Sequence, residues 1–487
     1  MSQYIFPKDV RELMKAALPA ETAIFGQPPE LRYTYVPTSH ARALHPDSML
    51  VVGIRGAGKS FWWSALQKED HRKLVAELVP KAGITANTLV SSGFGQSPSP
   101  DDYPGKDVLI NLIKDFDPRQ IWRTVVLMHL IKQKKAKSPF EKKDWKGRVA
   151  WLVANPQEVE ELVFSADQNL DNRDSYHLIL FDALDRTADD WPSMFKLVRG
   201  LLQVLLEFRS YKRIRPKAFV RPDHLEDPSI ADFADASKVL NQKVELNWPR
   251  NELYNLFWHY LANEPERGQQ FHKYCLEGFK FAWSNQGRVW IAPEELRNNE
   301  SIQRDIFHAI TGPWMGRGPK RGFPFTWLPN HLGDSRRQVS PRSFLSALRH
   351  AASDTAVNLD YRYAIHFESI KRGVQEASKI RVREMQEDYP WVAELMKPLS
   401  GINVPCLFAE IDRRWQDELT LVKLQKSIKN EGVKLPPFHL EAGSVGARED
   451  LETLGVFERM WDDRVNLPDV YRVGYGIGRR GGVRRIT

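Results

Sequence analysis

Apolar residues along this chain follow two rhythms. Short continuous runs occur at Met49 to Val52, within NTLVSSG (87–93), over Tyr176 to Asp182 (YHLILFD) and over Lys217 to Asp223 (KAFVRPD). A fifth stretch, Lys243 to Trp248 (KVELNW), alternates apolar with polar. Runs of this length, bounded by Gly, Pro, Asn or Asp, predict strands, and unbroken ones predict strands buried on both faces. Between them apolar positions recur every three to four residues. That spacing predicts helices from Lys59 to about Gln67, through most of 106–168, and from Trp191 to Arg209. Strands separated by helices imply an α/β class: a parallel five-stranded sheet flanked by helices, over about 46–248.

The flanking regions read differently. Residues 1–45 hold a short helix and a Pro-containing segment, and GFGQSPSPDDYPG (93–105) is expected as a mobile loop. From 249 to 352 the pattern is mostly helical, broken by GPWMGRGPKRGFP. SPRSFLSALRHAA has helix-start chemistry, with Ser340 as cap, Pro341 in the first turn, and an apolar face of Phe344, Leu345, Leu348 and Ala352. Near the end, a helix closing at Gly455 precedes two short strands with a turn at Asp462–Asp463. Helix then hairpin predicts a winged helix within 353–487.

The strand Met49 to Val52 runs into Gly53-Ile54-Arg55-Gly56-Ala57-Gly58-Lys59-Ser60, a full match to G-x-x-x-x-G-K-[ST]. Glycines let the backbone wrap so that its N–H groups face phosphate oxygens, and the following helix adds the positive end of its dipole. Lys59 is expected on the β and γ phosphates and the Ser60 hydroxyl on Mg²⁺. Gly53, Arg55, Gly56, Ala57, Gly58 and Phe61 complete the expected ATP contacts. Phe61, Trp62 and Trp63 open the helix as packing residues. The alternative is that one ring walls the adenine pocket with His40 and Ala41 just upstream. The metal's second ligand is expected as Asp182, at the tip of an adjacent strand. Asp185, three residues on, either polarises the attacking water or caps a helix.

GIRGAGKS and FDALDRT together resemble the P-loop NTPases of the AAA+/STAND group, including NACHT and KAP-type proteins. In NACHT proteins a small residue follows the strand Asp and a second acid comes later, as in Asp182-Ala183-Leu184-Asp185; KAP-type proteins carry an Asp-Asp-Leu-Asp-Arg string, which this chain follows except at Ala183. Many AAA+ ATPases have a catalytic Glu where this chain has Ala183, so either Asp185 takes over or hydrolysis is slow. The resemblance implies Arg221 of AFVRPD as a γ-phosphate sensor. It also implies Arg342 of SPRSFL as a lid arginine reaching the phosphates, with Arg336 and Arg337 as alternatives or as fingers offered to a neighbouring subunit. The implied organisation is an N-terminal segment with an adenine-side strap (1–45), the NTPase domain (46–248), a helical lid (249–352) and a winged-helix domain with a basic tail (353–487).

Composition adds an acidic partner. Net charge is +8, with basic residues concentrated between Lys132 and Arg148 and from Arg472 to Thr487. Arg479, Arg480, Arg484 and Arg485 are the candidate phosphate contacts if the winged helix reads DNA; otherwise it clamps the nucleotide domain or a protein. His439 is a further candidate to reach the nucleotide. Two distant cysteines, Cys275 and Cys406, make no framework and suggest a reducing compartment. The N-terminus lacks a signal-peptide pattern and no apolar run is long enough to span a membrane, so a cytoplasmic protein is expected. Three functions follow: an oligomeric ATP-hydrolysing switch in defence or signalling, an ATP-controlled DNA-binding protein of the loader or initiator kind, or a scaffold that binds ATP without turning it over.

Overall fold

The computed structural model describes residues 4–20, 28, 30–134, 138–355 and 360–480. They form two compact units, one centred on residues 36–247 and one built from 4–20, 30–35 and 248–480. The N-terminal stretch expected as one segment with its strap is thus divided between them.

The first unit is built on five parallel strands: β1 (Leu50–Val52), β2 (Leu89–Phe94), β3 (His177–Phe181), β4 (Ile214–Val220) and β5 (Val244–Glu245). Their order is β2-β3-β4-β1-β5. Contrary to expectation, the strand leading to Asp182 is not adjacent to the strand leading into the glycine loop; β4 lies between them. Every residue of β1, β3 and β4 is buried, which explains their unbroken apolar runs.

β4 begins three residues earlier than its apolar pattern suggests, because it buries Arg215 and Lys217. Lys217 is fully buried, and its ammonium donates to the backbone carbonyls of Ala43, His45 and Ser48. Arg215 Nε pairs with Asp47 at 2.8 Å. Charged residues are admitted to a central strand here because each finds acceptors in the 43–48 segment.

Helices Lys59–Leu66, Lys106–Asp115, Pro118–Lys134, Trp145–Ala154, Pro156–Asn172 and Trp191–Phe208 belong to this unit. Asp190 caps the last by accepting from the Ser193 amide at 2.8 Å. That helix buries Met194, Leu197, Val198, Leu201, Leu202, Val204, Leu205 and Phe208, at roughly 2 kcal/mol of transfer free energy per side chain. The 93–105 segment, expected to be mobile, is bonded down. Tyr103 is buried and donates to the Ser97 carbonyl, and Lys132 Nζ holds the Asp101 carbonyl and the Asp102 carboxylate, both at 2.8 Å. Its glycines, prolines and serines make turns rather than freedom.

In the second unit, helices Arg250–Ala262, Gly268–Phe279, Glu300–Thr311 and Pro341–Ser353 share a core with the helix Val10–Ala17 that includes Phe6, Leu13, Tyr254, Trp258, Phe307 and Phe344. The sequence pattern missed the antiparallel pair Ser284–Gln286 and Val289–Ile291, whose first strand is entirely polar. Ser340 stands at the cap position of Pro341–Ser353, but its hydroxyl makes no capping bond.

Helices Phe367–Asp388, Phe408–Asp417 and Thr420–Glu431 lead to Gly443–Thr453 and the antiparallel hairpin Glu458–Arg459 with Val465–Asn466, the expected helix-then-hairpin order. Beyond it, Gly478–Arg479 pairs in parallel with Asn403–Val404. Arg479 reaches Asp469 at 3.3 Å and Arg480 reaches Glu410 at 3.1 Å. Both are thus engaged within the chain rather than on a loose tail; Arg484 and Arg485 lie outside the described residues. Cys275 and Cys406 are buried free thiols, pushed up to about 12 and about 11 by burial. Among the described residues no helix is long and apolar enough to cross a membrane.

Candidate nucleotide-binding site

The loop between β1 and the helix Lys59–Leu66 takes the shape its glycines permit. Gly56 and Gly58 have φ of +80° and +105°, which favour residues without a Cβ. The helix starts directly at Lys59, so its first-turn amides have no acceptors within the helix and face the loop mouth. Lys59 folds back over that mouth, donating from Nζ to the carbonyls of Gly53 at 2.7 Å and Ile54 at 3.0 Å. Burial, reinforced by the charge of Arg221, lowers its pKa to about 8 against the opposing pull of Asp182, Asp223 and Asp185.

Asp182 directly follows β3 and is 2% exposed. The Ser60 hydroxyl stands beside its carboxylate, whose Oδ2 is buried with no hydrogen-bond partner among the described residues. Desolvation raises its pKa, opposed by the Ser60 hydroxyl and by Lys59. A buried, half-satisfied carboxylate beside a hydroxyl and an ammonium is a donor set that suits a hard divalent cation. The orphaned oxygen is the observation on which that fit rests.

Asp185 lies in a short 3₁₀ turn, Leu184–Arg186, behind Ala183. Ala183 adopts φ +56° and offers no proton acceptor. Arg221, just beyond β4, is held by Asp223 at 3.3 Å. His224 is fully buried beside them, its pKa lowered by desolvation.

The structure thus brings Lys59, Ser60, Asp182, Asp185 and Arg221 into one electrostatic neighbourhood. Arg342, Arg336, Arg337 and His439 belong to the other unit. Arg342 belongs to the helical unit, where its guanidinium contacts Glu384 at 2.5 Å. Arg336 donates to the Thr453 carbonyl at 3.3 Å, and Arg337 lies in the turn beside it with φ +59°. His439 pairs with Asp450 at 2.7 Å in that same unit. His40 is fully buried and accepts from Trp62 Nε1 at 3.0 Å, so it serves packing under the loop helix rather than an adenine wall. Trp62 and Trp63 are core residues, and Phe61 packs edge-on against Trp62. Arg55 is partly exposed on the loop.

Two participants had no clear sequence signal. Asp223 was read only as the end of a strand. Gln96, in the stretch expected to be mobile, donates from Nε2 to Ser60 Oγ at 3.3 Å. The neighbouring Gly95 was the available clue: a Cβ there would collide with the Trp63 ring, so the chain must pass close to the loop helix.

The parallel five-stranded sheet with its glycine loop is a P-loop NTPase fold. Two solved structures are similar to the whole chain. One is the Aeropyrum pernix ORC2 protein in ADPNP–ADP complexes, at 13% identity and TM-score 0.30 over 92% of this chain and 98% of that one. The other is Cdc6p from Pyrobaculum aerophilum, at 10% identity and TM-score 0.31 over 91% and 95%. No family model and no curated protein matches the chain.

Proposed function

We propose that the protein is an ATP-binding and hydrolysing P-loop ATPase of the AAA+ kind. The observation that carries the reading is the buried, unpartnered Oδ2 of Asp182 set beside Ser60 and Lys59 at the mouth of the glycine loop. Gly53, Arg55, Gly56, Ala57, Gly58 and Phe61 line or flank the triphosphate. Lys59 exchanges its two loop carbonyls for phosphate oxygens. Ser60 and Asp182 are the residues that would hold Mg²⁺, which would supply positive charge against the phosphates. Asp185 accepts the proton of the attacking water, and Arg221, released from Asp223, senses the γ-phosphate. The roles of Arg342, of oligomerisation and of the NACHT- or KAP-like assignment rest on motif spelling alone, and nothing in the fold favours defence or signalling.

A second reading, ATP-controlled DNA binding of the loader or initiator kind, draws support from the helix-and-hairpin element at 443–466 and the net charge of +8. It concerns what the ATPase acts on, not whether it is one. The non-hydrolysing scaffold reading draws only on Ala183.

Lys59→Ala should lose nucleotide binding in a fluorescent-nucleotide titration; wild-type affinity in that variant would refute the site. Asp185→Asn should bind ATP normally and release phosphate about 10²- to 10³-fold more slowly. An unchanged rate moves the base elsewhere.

A further inference from the structure

The Gln96 side-chain amide is in direct contact with the proposed metal-binding hydroxyl of Ser60. The Ser60 hydroxyl has one proton and two lone pairs. It accepts from Gln96 Nε2 at 3.3 Å and stands beside the Asp182 carboxylate. Gln96 thus reaches the same hydroxyl that neighbours Asp182.

Its placement is built, not incidental. β2 pairs with β3, the strand that leads to Asp182, so the ends of both strands reach the same edge of the sheet. Gly95 packs against the Trp63 ring with no room for a side chain. Trp63 is itself fixed, donating from Nε1 to the Leu180 carbonyl of β3 at 3.3 Å. On the other side, Arg186 Nη1 donates to the Gln96 carbonyl at 3.3 Å. Arg186 directly follows Asp185, so Gln96 is tethered to the turn that carries the proposed base. The backbone is held from two sides while the side chain stays partly exposed. The amide can leave Ser60 without losing its station.

Hydrolysis needs the attacking water both oriented and deprotonated. The residue after the strand Asp is Ala183, which can do neither. Asp185 can accept a proton, but a single carboxylate fixes only one direction of a water molecule. A glutamine supplies what is missing: a carbonyl that accepts from the water and an N–H that donates to it or to a phosphate oxygen, with no change of charge. We propose that Gln96 is the water-positioning residue of this site, dividing with Asp185 the work that one Glu after the strand Asp would do alone. In that division the water oxygen attacks the γ-phosphorus, one water proton passes to Asp185, and ADP leaves with the electron pair of the broken P–O bond. This inference rests on the ATPase reading above.

The test compares wild type with Gln96→Ala, Gln96→Glu and Lys59→Ala. It measures binding of ADP with beryllium fluoride, which mimics the ground state, and with aluminium fluoride, which mimics the state in which water attacks, alongside steady-state phosphate release. Gln96→Ala should bind the beryllium complex within threefold of wild type, bind the aluminium complex at least tenfold more weakly, and lose about 10²-fold in kcat with KM little changed. Gln96→Glu should recover part of that kcat. Equal weakening of both complexes would make Gln96 a structural prop, and normal aluminium-complex binding with normal kcat would remove it from the site; either overturns the proposal. Wild type that binds nucleotide but releases no phosphate also overturns it while leaving the binding site standing. Wild type that binds no better than Lys59→Ala would bring down the nucleotide reading itself.

Discussion

At the scale of single residues, the site works by competition for partners. Lys59 spends its protons on two carbonyls of its own loop, and a triphosphate must displace both. The exchange is favourable because the phosphate oxygens are charged and the carbonyls are not. It also requires the ammonium form. In the free protein burial pushes the Lys59 ammonium down to about 8, while a bound triphosphate holds the proton on. The free state therefore loses its proton first as pH rises through 8, and affinity should fall above that point, approaching about tenfold per pH unit. Fluorescent-nucleotide titrations from pH 7 to 9.5 check this, and a flat profile would mean that Lys59 does not carry the phosphate. Arg221 faces the same choice between Asp223 and a ligand, which makes Asp223 the residue that keeps the proposed sensor at rest.

At the scale of elements, the position of the loop depends on a residue far from it. Lys217 sits in β4 and grips three carbonyls in the segment that leads into β1. Burial pushes its pKa down to about 7, yet three acceptors match the three protons of an ammonium group. Replacing it with Met would leave the carbonyls of Ala43, His45 and Ser48 without their donor. Lys217→Met should lower unfolding stability by about 2–4 kcal/mol and weaken nucleotide binding as the entry to β1 loosens. A denaturant midpoint within error of wild type would show that water replaces the ammonium at no cost.

At the scale of the whole molecule, positive charge is unevenly available. Lys132 and Lys146 within the basic stretch pair with Asp102 and Asp115, and Arg479 and Arg480 pair with Asp469 and Glu410. The count of basic residues in these two stretches thus overstates the unpaired cations that a polyanion would meet. Under the DNA reading, duplex DNA should stimulate phosphate release, and binding should weaken with salt at a slope of about 0.9 per phosphate contacted. A salt-independent interaction and an unstimulated rate would leave ATP turnover serving a protein partner.

The sequence by itself determined the local chemistry. The glycine loop, its lysine and serine, the buried strands and the acid following β3 are each set by a few contiguous residues whose conformational and hydrogen-bonding demands admit little else. Strand ends were less legible where tertiary partners changed the rules, as with the charged start of β4. Only the tertiary structure decided the order of the strands, the arrival of Gln96 beside Ser60, the pairing of Arg221 with Asp223 and of Arg342 with Glu384, and the burial of His40 under Trp62. Apart from Arg221 and Asp223, which are near in sequence, those contacts join residues 22 to 42 positions apart. No local pattern encodes them, because they depend on which groups remain unsatisfied once the sheet and helices have closed.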